Sequence, residues 1–455
     1  MDTRVNFKNN IYIILLMGLF TFLFLGTEYL YVDLLSCIVS QDATVIAQNY
    51  ALGASSIGFL LYPLLNRLIK SRFKNSPLLL TGLVSIIGIV LLGTEYTFII
   101  GLVLFLFLGI IGSCVYYQSM CMLETDQYLA RIVGISYFLG IMLQFISNNL
   151  IHTELIQSML LGISLFILII LLIKNSSFNI QMIKEDKQEK KSNTVGIILI
   201  ILVALMTCMF STLDNAVTLV HAGGDMDIGQ WPRILLALSG LVSGFIFDLQ
   251  NRRYMGITMY CIMVLSTICI AILKFAGPFM LGLMIFYLSA GFFAVFFVTA
   301  FMEIARYMKI SELWSGMGRA VNNLTAAIIA SPVLALLSSD SNLSAIILIL
   351  VLFVAVSIVS VIYTVWKNDF IKQQTIEVID EKEKLRRFSE LYSFTDRETE
   401  VFEQLVNTED SIQVIAENIY VSKRTLERYV SAIYEKTGVK LNWFKSQGQN
   451  VDSPC

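Results

Sequence analysis

Charge is what this chain has least of. Only 15% of its 455 residues are Asp, Glu, Lys or Arg, against about 25% in a typical soluble domain. A water-facing surface cannot be built along most of such a chain. Histidine is nearly absent: His152 and His221 stand alone and far apart, which gives little support to a metal site or a histidine-based catalytic centre. The seven cysteines, Cys37, Cys114, Cys121, Cys208, Cys261, Cys269 and Cys455, are scattered without zinc-ligand spacing. They read as small apolar packing residues. There is no P-loop, no Gly-x-Gly-x-x-Gly turn after a strand and no Gly-x-Ser-x-Gly elbow. Nothing supports catalysis, a metal or a cofactor, and the expectation is a protein that is not an enzyme.

What the chain has instead is hydrophobic length. Hydrophobic residues make up 56%, and the mean hydropathy is +0.73. The charge is unevenly placed: of 66 charged residues, 29 lie between Lys367 and Cys455. Residues 1–366 are lipid-compatible, and the remainder is an ordinary soluble sequence. A bilayer crossing needs about 20 apolar residues, and about twelve such runs occur, near 11–35, 49–69, 77–96, 98–118, 129–150, 155–174, 195–216, 229–249, 254–273, 277–300, 315–338 and 343–366. The first is too long for a signal peptide and no small-residue cleavage site follows it. Basic residues cluster on alternate loops: Arg4 and Lys8; Arg67, Lys70, Arg72 and Lys74; Lys184, Lys187, Lys190 and Lys191; Arg252 and Arg253; Arg306 and Lys309; Lys367. The positive-inside rule then puts both termini in the cytoplasm of a multi-pass protein of the cell membrane.

The polar segment 175–194 divides the runs into six plus six. After the eighth run come Gly244, Asp248, Arg252 and Arg253: a glycine, an acid four residues on, then a basic pair. This resembles the loop motif of the major facilitator superfamily, in which the acid caps a neighbouring helix and the basic pair forms charge pairs between helices. The equivalent first-half loop is weaker, with Tyr62 for the glycine and Asn66 for the acid before Arg67, Lys70 and Arg72. The resemblance spans the membrane part and implies two six-helix bundles around a central cavity.

Charged groups at membrane depth are costly and are functional candidates by default. Glu28, Asp214 and Arg233 fall in the outer parts of the first, seventh and eighth runs, beside Tyr29, Asn215 and Trp231. Tyr116, Tyr117 and Gln118 lie in the fourth run, and Arg319, Asn322 and Asn323 in the eleventh. A cavity with a cation, two carboxylates and several aromatics suits a small polar or aromatic ligand. The ligand-binding expectation falls on Glu28, Tyr29, Tyr117, Asp214, Trp231, Arg233 and Asn322. The competing reading is that these groups pair with each other or snorkel to the interface. Asp248, Arg252 and Arg253 suit a structural or gating role.

Residues 367–393 read as a charged helical connector, and 394–455 as a small helical domain. Thr395 and Glu398 form a capping box, opening a helix with Val401, Phe402 and Leu405 on one face. A short second helix starts near Asp410 with Ile415, Ala416 and Ile419 inward. After a turn at Tyr420 and Val421, Ser422 caps a third helix on which Leu426, Val430 and Ile433 recur at helical spacing, ending at Thr437 and Gly438. With Thr395, Arg397, Glu398, Glu400, Val401, Ile415, Ala416, Ile419, Val421, Ser422, Thr425, Ile433, Tyr434, Lys436, Gly438 and Val439 at these spacings, the stretch resembles the LuxR-type helix-turn-helix. That implies a four-helix domain whose third helix enters the major groove of double-stranded promoter DNA, usually as a homodimer. The expected contacts are Ser422, Lys423, Arg424, Thr425, Glu427, Arg428 and Ser431. Arg428 suits a base contact, and Lys423 and Arg424 suit phosphates. Ser422 and Thr425 can donate to phosphate as well. Lys436 fits solvated surface charge. The chain departs from the family pattern at Glu427, usually basic, at Tyr429, often histidine, at Thr408, usually glycine, and in its short fourth helix, 441–447.

The sequence therefore predicts an all-α protein: a membrane bundle of about twelve spans followed by a helix-turn-helix. The main expectation is a membrane-bound one-component transcriptional regulator that senses an unidentified small molecule. The alternative is a major-facilitator-type transporter with a C-terminal regulatory domain.

Overall fold

The computed structural model describes residues 2–68, 75–123, 128–174, 189–224, 231–276, 279–337, 342–407, 412–419 and 421–437. Lys70, Arg72, Lys74, Lys184, Lys187, Thr408, Asp410, Tyr420, Gly438 and the expected fourth helix at 441–447 lie outside the described residues. The described residues are helical with no strand among them, and the chain divides into two compact units, Met1–Asn368 and Asp369–Cys455.

The first unit holds twelve helices among its described residues: α1 (Asp2–Ser36), α2 (Gln41–Leu68), α3 (Asn75–Leu91), α4 (Thr97–Met122), α5 (Leu129–Leu150), α6 (Glu154–Lys174), α7 (Glu189–Ala222), α8 (Pro232–Phe247), α9 (Met255–Ala276), α10 (Phe279–Ala305), α11 (Ser311–Leu337) and α12 (Asn342–Leu391). Seven of these are long and apolar enough to cross a membrane, and three more are apolar over shorter lengths. The exceptions are α2 and α11. Each carries a polar stripe that faces inward: Thr44, Gln48, Asn49, Ser55 and Ser56 on α2, and Ser311, Ser315, Arg319 and Asn323 on α11, are all buried. Their hydropathy is low because of what they line.

Burial is inverted relative to a soluble protein. Leu79, Leu80, Leu83, Leu155, Ile163, Phe166, Val354 and Val361 are exposed on the outside, as expected of a surface solvated by lipid. Helices α1–α6 pack among themselves, as do α7–α11, and the two groups meet chiefly through α2 on α11 and α5 on α8. The α5–α8 contact is backbone-close. A Cβ at Gly134 would lie 2.7 Å from the carbonyl oxygen of Gly240, and one at Gly244 would lie 2.6 Å from that of Ala130. Small residues of this kind let membrane helices touch where no hydrophobic force separates protein from lipid.

The boundary between the units falls within α12, so the expected connector continues the helix of the last span as far as Leu391. The second unit adds α13 (Asp396–Asn407), α14 (Ile412–Asn418) and α15 (Lys423–Thr437). Its core is Val401, Phe402, Leu405, Ile415, Ala416, Ile419, Leu426 and Ile433. Val430, expected in the core, is only partly buried against it. Leu385 and Phe388, at the end of α12, also pack on this core, with Phe388 stacked on Phe402 at 5.1 Å between ring centroids.

Candidate functional site

A cavity of about 180 Å³ lies between the two halves of the membrane unit. Helix α1 supplies Phe24, Glu28 and Tyr29, and α2 supplies Gln48. From α7 come Phe210, Asp214 and His221. Arg233 comes from α8, and Arg319, Asn322 and Asn323 from α11. Five of the seven expected ligand residues are thus brought together: Glu28, Tyr29, Asp214, Arg233 and Asn322. Tyr117 and Trp231 are not. Tyr117 sits on α4 against Tyr62, with ring centroids 6.3 Å apart, and Trp231 precedes α8 with its side chain exposed. Depth along a run was legible in the sequence, but the direction of a side chain around its helix was not.

Hydrogen bonds arrange the chamber's polar groups. The Gln48 amide donates to Glu28 at 2.7 Å. Arg233 Nε donates to Gln144 at 3.2 Å, and Gln144 in turn donates to the Leu25 carbonyl at 2.8 Å. Asn322 accepts from Thr207 at 3.1 Å and donates to Asn323 at 3.1 Å, which donates to Ser55 at 2.9 Å. The Asn49 amide reaches Asn215 across the two halves at 2.9 Å. These bonds pin the amides. The four charges, Glu28, Asp214, Arg233 and Arg319, form no ion pair with one another within 4 Å among the described residues. Arg319, Gln48, Gln144 and Asn323 lie outside the set expected to bind ligand. The Arg319 guanidinium sits over Phe24 and Phe297, at 5.6 and 5.3 Å from the ring centroids.

At the end of the bundle that carries the basic loops, Asp248 accepts hydrogen bonds from the backbone N–H groups of Ala130 (3.1 Å) and Arg131 (2.8 Å). It thereby caps the start of α5, as the loop motif implies. Arg252 links Asp248 (3.2 Å) to Glu303 (3.0 Å), and Lys367 completes the chain by donating to Glu303 at 2.7 Å. Arg252 is turned inward by three successive non-glycine residues in the left-handed region, Gln250, Asn251 and Arg252, with φ of 48°, 54° and 62°. Such a backbone costs roughly 1–2 kcal/mol per residue, offset here by a buried four-member ion network. Arg253 lies outside it, over the Tyr254 ring at 5.7 Å. In the first-half counterpart half-exposed Arg67 reaches Glu312 at 3.4 Å and the Lys309 carbonyl at 3.5 Å.

In the second unit the capping box forms. The Thr395 N–H donates to Glu398 at 2.7 Å, and the Glu398 N–H to the Thr395 hydroxyl at 3.4 Å. Lys436 is not free surface charge: its ammonium donates to Glu398 at 2.5 Å and to the Ser393 carbonyl at 3.0 Å, tying the end of α15 to the start of α13. Burial alone would raise the Glu398 pKa, but the Lys436 ammonium and the Thr395 N–H outweigh it and hold the carboxyl below its ordinary range. Ser422 caps α15 through the Thr425 N–H at 3.1 Å. Lys423, Arg424, Glu427, Arg428 and Ser431 are exposed on the side of α15 away from Leu426 and Ile433. Lys423 lies 4.0 Å from Glu427, and Ser431 bonds back to the Glu427 carbonyl at 2.9 Å. Arg424 and Arg428 have no ion-pair partner among the described residues.

No protein-family model matches this chain, and no curated protein matches it. Solved structures do. The proton:xylose symporter XylE of the major facilitator superfamily, bound to 6-bromo-6-deoxy-D-glucose, superposes with a TM-score of 0.53 at 14% identity, over 80% of this chain and 96% of that one. The E. coli fucose:proton symporter FucP gives 0.50 at 12% identity, over 79% and 98%. At these identities the likeness is one of fold alone: the membrane unit has the architecture of a major facilitator superfamily transporter.

Proposed function

We propose that this protein is a membrane-bound transcriptional regulator. In this reading twelve helices cross the cell membrane with both termini cytoplasmic. The chamber of the transporter-type bundle takes a small solute, and the C-terminal unit is a LuxR-type helix-turn-helix that reads double-stranded promoter DNA as a homodimer. The observation that carries the reading is the outer face of α15, where Arg424 and Arg428 stand exposed and unpaired beside the capped N-terminus at Ser422. Unpaired guanidiniums on a helix whose opposite face is buried suit phosphate and guanine contacts. Ligand binding needs only to favour one arrangement of the bundle over another. Lys367, on α12, belongs to the Asp248–Arg252–Glu303 network, so the last helix before the C-terminal unit shares a charge cluster with the bundle.

Full-length protein in lipid nanodiscs, selected against random duplex DNA, is expected to enrich a two-fold related site. Arg428→Ala is expected to weaken that enrichment and to relax it at one base pair. No enrichment by the wild type defeats the regulator reading.

A second reading, a working transporter with a C-terminal regulatory module, draws on the fold likeness to proton symporters, and the comparisons favour it more directly. Uptake of a labelled solute into proteoliposomes, abolished by Glu28→Gln, would establish transport.

A further inference from the structure

Arg319 is the least explained group in the molecule. It is only 9% exposed, it lines the chamber, and its Nε has no hydrogen-bond partner among the described residues. The rings of Phe24 and Phe297 face its charge, which steadies a cation without satisfying its N–H groups. Its neighbours Asn322 and Asn323 are committed to Thr207, to each other and to Ser55. A buried, unpaired guanidinium is costly, and the missing partner is a planar acceptor pair such as a carboxylate.

The chamber's own carboxylates do not supply it. Glu28 stands four residues beyond Phe24 on α1, a rise of about 6 Å, and Asp214 stands four residues beyond Phe210 on α7. Both chamber walls thus repeat one order, an aromatic ring and then an acid one turn further out. Glu28 accepts only from Gln48, and Asp214 has no hydrogen-bond or ion-pair partner among the described residues. Phe210 stacks on Phe293 at 4.7 Å, giving an apolar wall between the two charge levels.

We propose that the chamber takes a small amino-acid-like zwitterion, its carboxylate on Arg319, its ammonium between Glu28 and Asp214, and its apolar body against Phe210 and Phe293. Arg319 and Glu28 line one cavity without pairing with each other, which leaves both free to meet the two ends of a ligand that carries both charges. The proposal rests on reading the chamber as a ligand site.

The test uses full-length protein in nanodiscs, with thermal shift and equilibrium dialysis. The probes are the standard amino acids, 3-phenylpropionate (anion alone), phenethylamine (cation alone), and D-xylose and L-fucose (neutral). At least one apolar amino acid is expected to raise Tm and bind, with its single-charge analogues at least about thirtyfold weaker. Arg319→Gln and, independently, Asp214→Asn are expected to weaken it by a similar factor. Should Arg319→Gln not fold, the Asp214→Asn variant and the analogue series decide alone. Sugar binding with every amino acid inert overturns the zwitterion and leaves the chamber as a ligand site. Amino-acid binding that both variants leave unchanged overturns the assignment of the two charges. Failure of every probe overturns the zwitterion and the chamber reading together.

Discussion

Replacing Asp248 by alanine removes one carboxylate that holds two elements together. Its side chain is fully buried, it accepts the first N–H groups of α5 from Ala130 and Arg131, and it pairs with an Arg252 side chain that is 2% exposed. The substitution orphans those N–H groups and leaves Arg252 with Glu303 as its remaining partner in this network. Losing an N-cap costs about 1 kcal/mol, and breaking a buried ion pair by removing one member costs about 3–5 kcal/mol. The two overlap, so about 3–5 kcal/mol is the expected total. Arg252, Glu303 and Lys367 lie on the same half as Asp248, so only the Ala130 and Arg131 contacts, worth about 1 kcal/mol as a cap, belong to the arrangement in which the two halves touch at the basic end. The ratio of touching to separated arrangements should fall by about fivefold. The assay is a distance distribution from spin labels at Tyr128 and Leu249, both outside the buried network, with the native cysteines replaced. Wild type should give one short distance and Asp248→Ala a second, longer one, with Asp248→Asn between them. A folded Asp248→Ala protein with the wild-type distribution refutes the assignment of this network as a lock.

Arg67→Ala, in the first-half counterpart, should shift the same distribution by less than about 1 kcal/mol, because the Arg67 side chain is 49% exposed and such pairs are worth little. In the second unit Glu398 has a depressed pKa. Its stabilisation should be complete above the unfolded carboxyl value, near about 4.3, and should be lost as pH falls through the lower folded value. Thermal melts of Asp369–Cys455 against pH should show this loss. Glu398→Gln should melt lower at neutral pH, by about 1 kcal/mol, with that acid dependence flattened. On DNA, Arg428→Ala should relax the preference at one base pair by about 1–3 kcal/mol. Arg424→Ala should weaken all sequences alike and reduce the salt slope by about 1. Equal effects at the two positions would remove their separate roles.

Much of the architecture was legible because lipid and water impose opposite rules on the same chain. Runs of apolar residues set the helices α1–α12, and the charge step near Lys367 marked where the second unit begins. Two kinds of feature were not legible. Around a helix, a difference of one or two positions turns a side chain from the chamber to a neighbour, and this separates Tyr117 from the site and brings Arg319 into it. Across the chain, pairing between distant residues has no sequence signal: Lys436 reads as surface charge until Glu398 is seen beside it. The Asp248 motif was readable because its partners, Ala130 and Arg131, meet it through backbone N–H groups that any sequence would supply.

The two halves of the bundle are closed at the basic end by unequal means, and this bears on function. The α5–α8 side is held by buried Asp248, which accepts the Ala130 and Arg131 N–H groups, while Arg252, Glu303 and Lys367 brace that carboxylate from its own half. The α2–α11 side has the half-exposed Arg67–Glu312 contact. A carrier that moves a solute must separate both contacts at one end in every cycle, and a cap worth about 1 kcal/mol is a barrier that each turnover can overcome. A sensor has no such cycle. It needs a bias between two arrangements that its ligand can reverse, and reversing a ratio from one extreme to the other takes about 5.5 kcal/mol of differential binding. Satisfying a buried guanidinium such as Arg319 with a charged hydrogen-bonded partner is an interaction of that order. Ligand binding at Arg319 is therefore strong enough to set the arrangement of the bundle in a sensor, and a cap of this size leaves a carrier's cycle open as well.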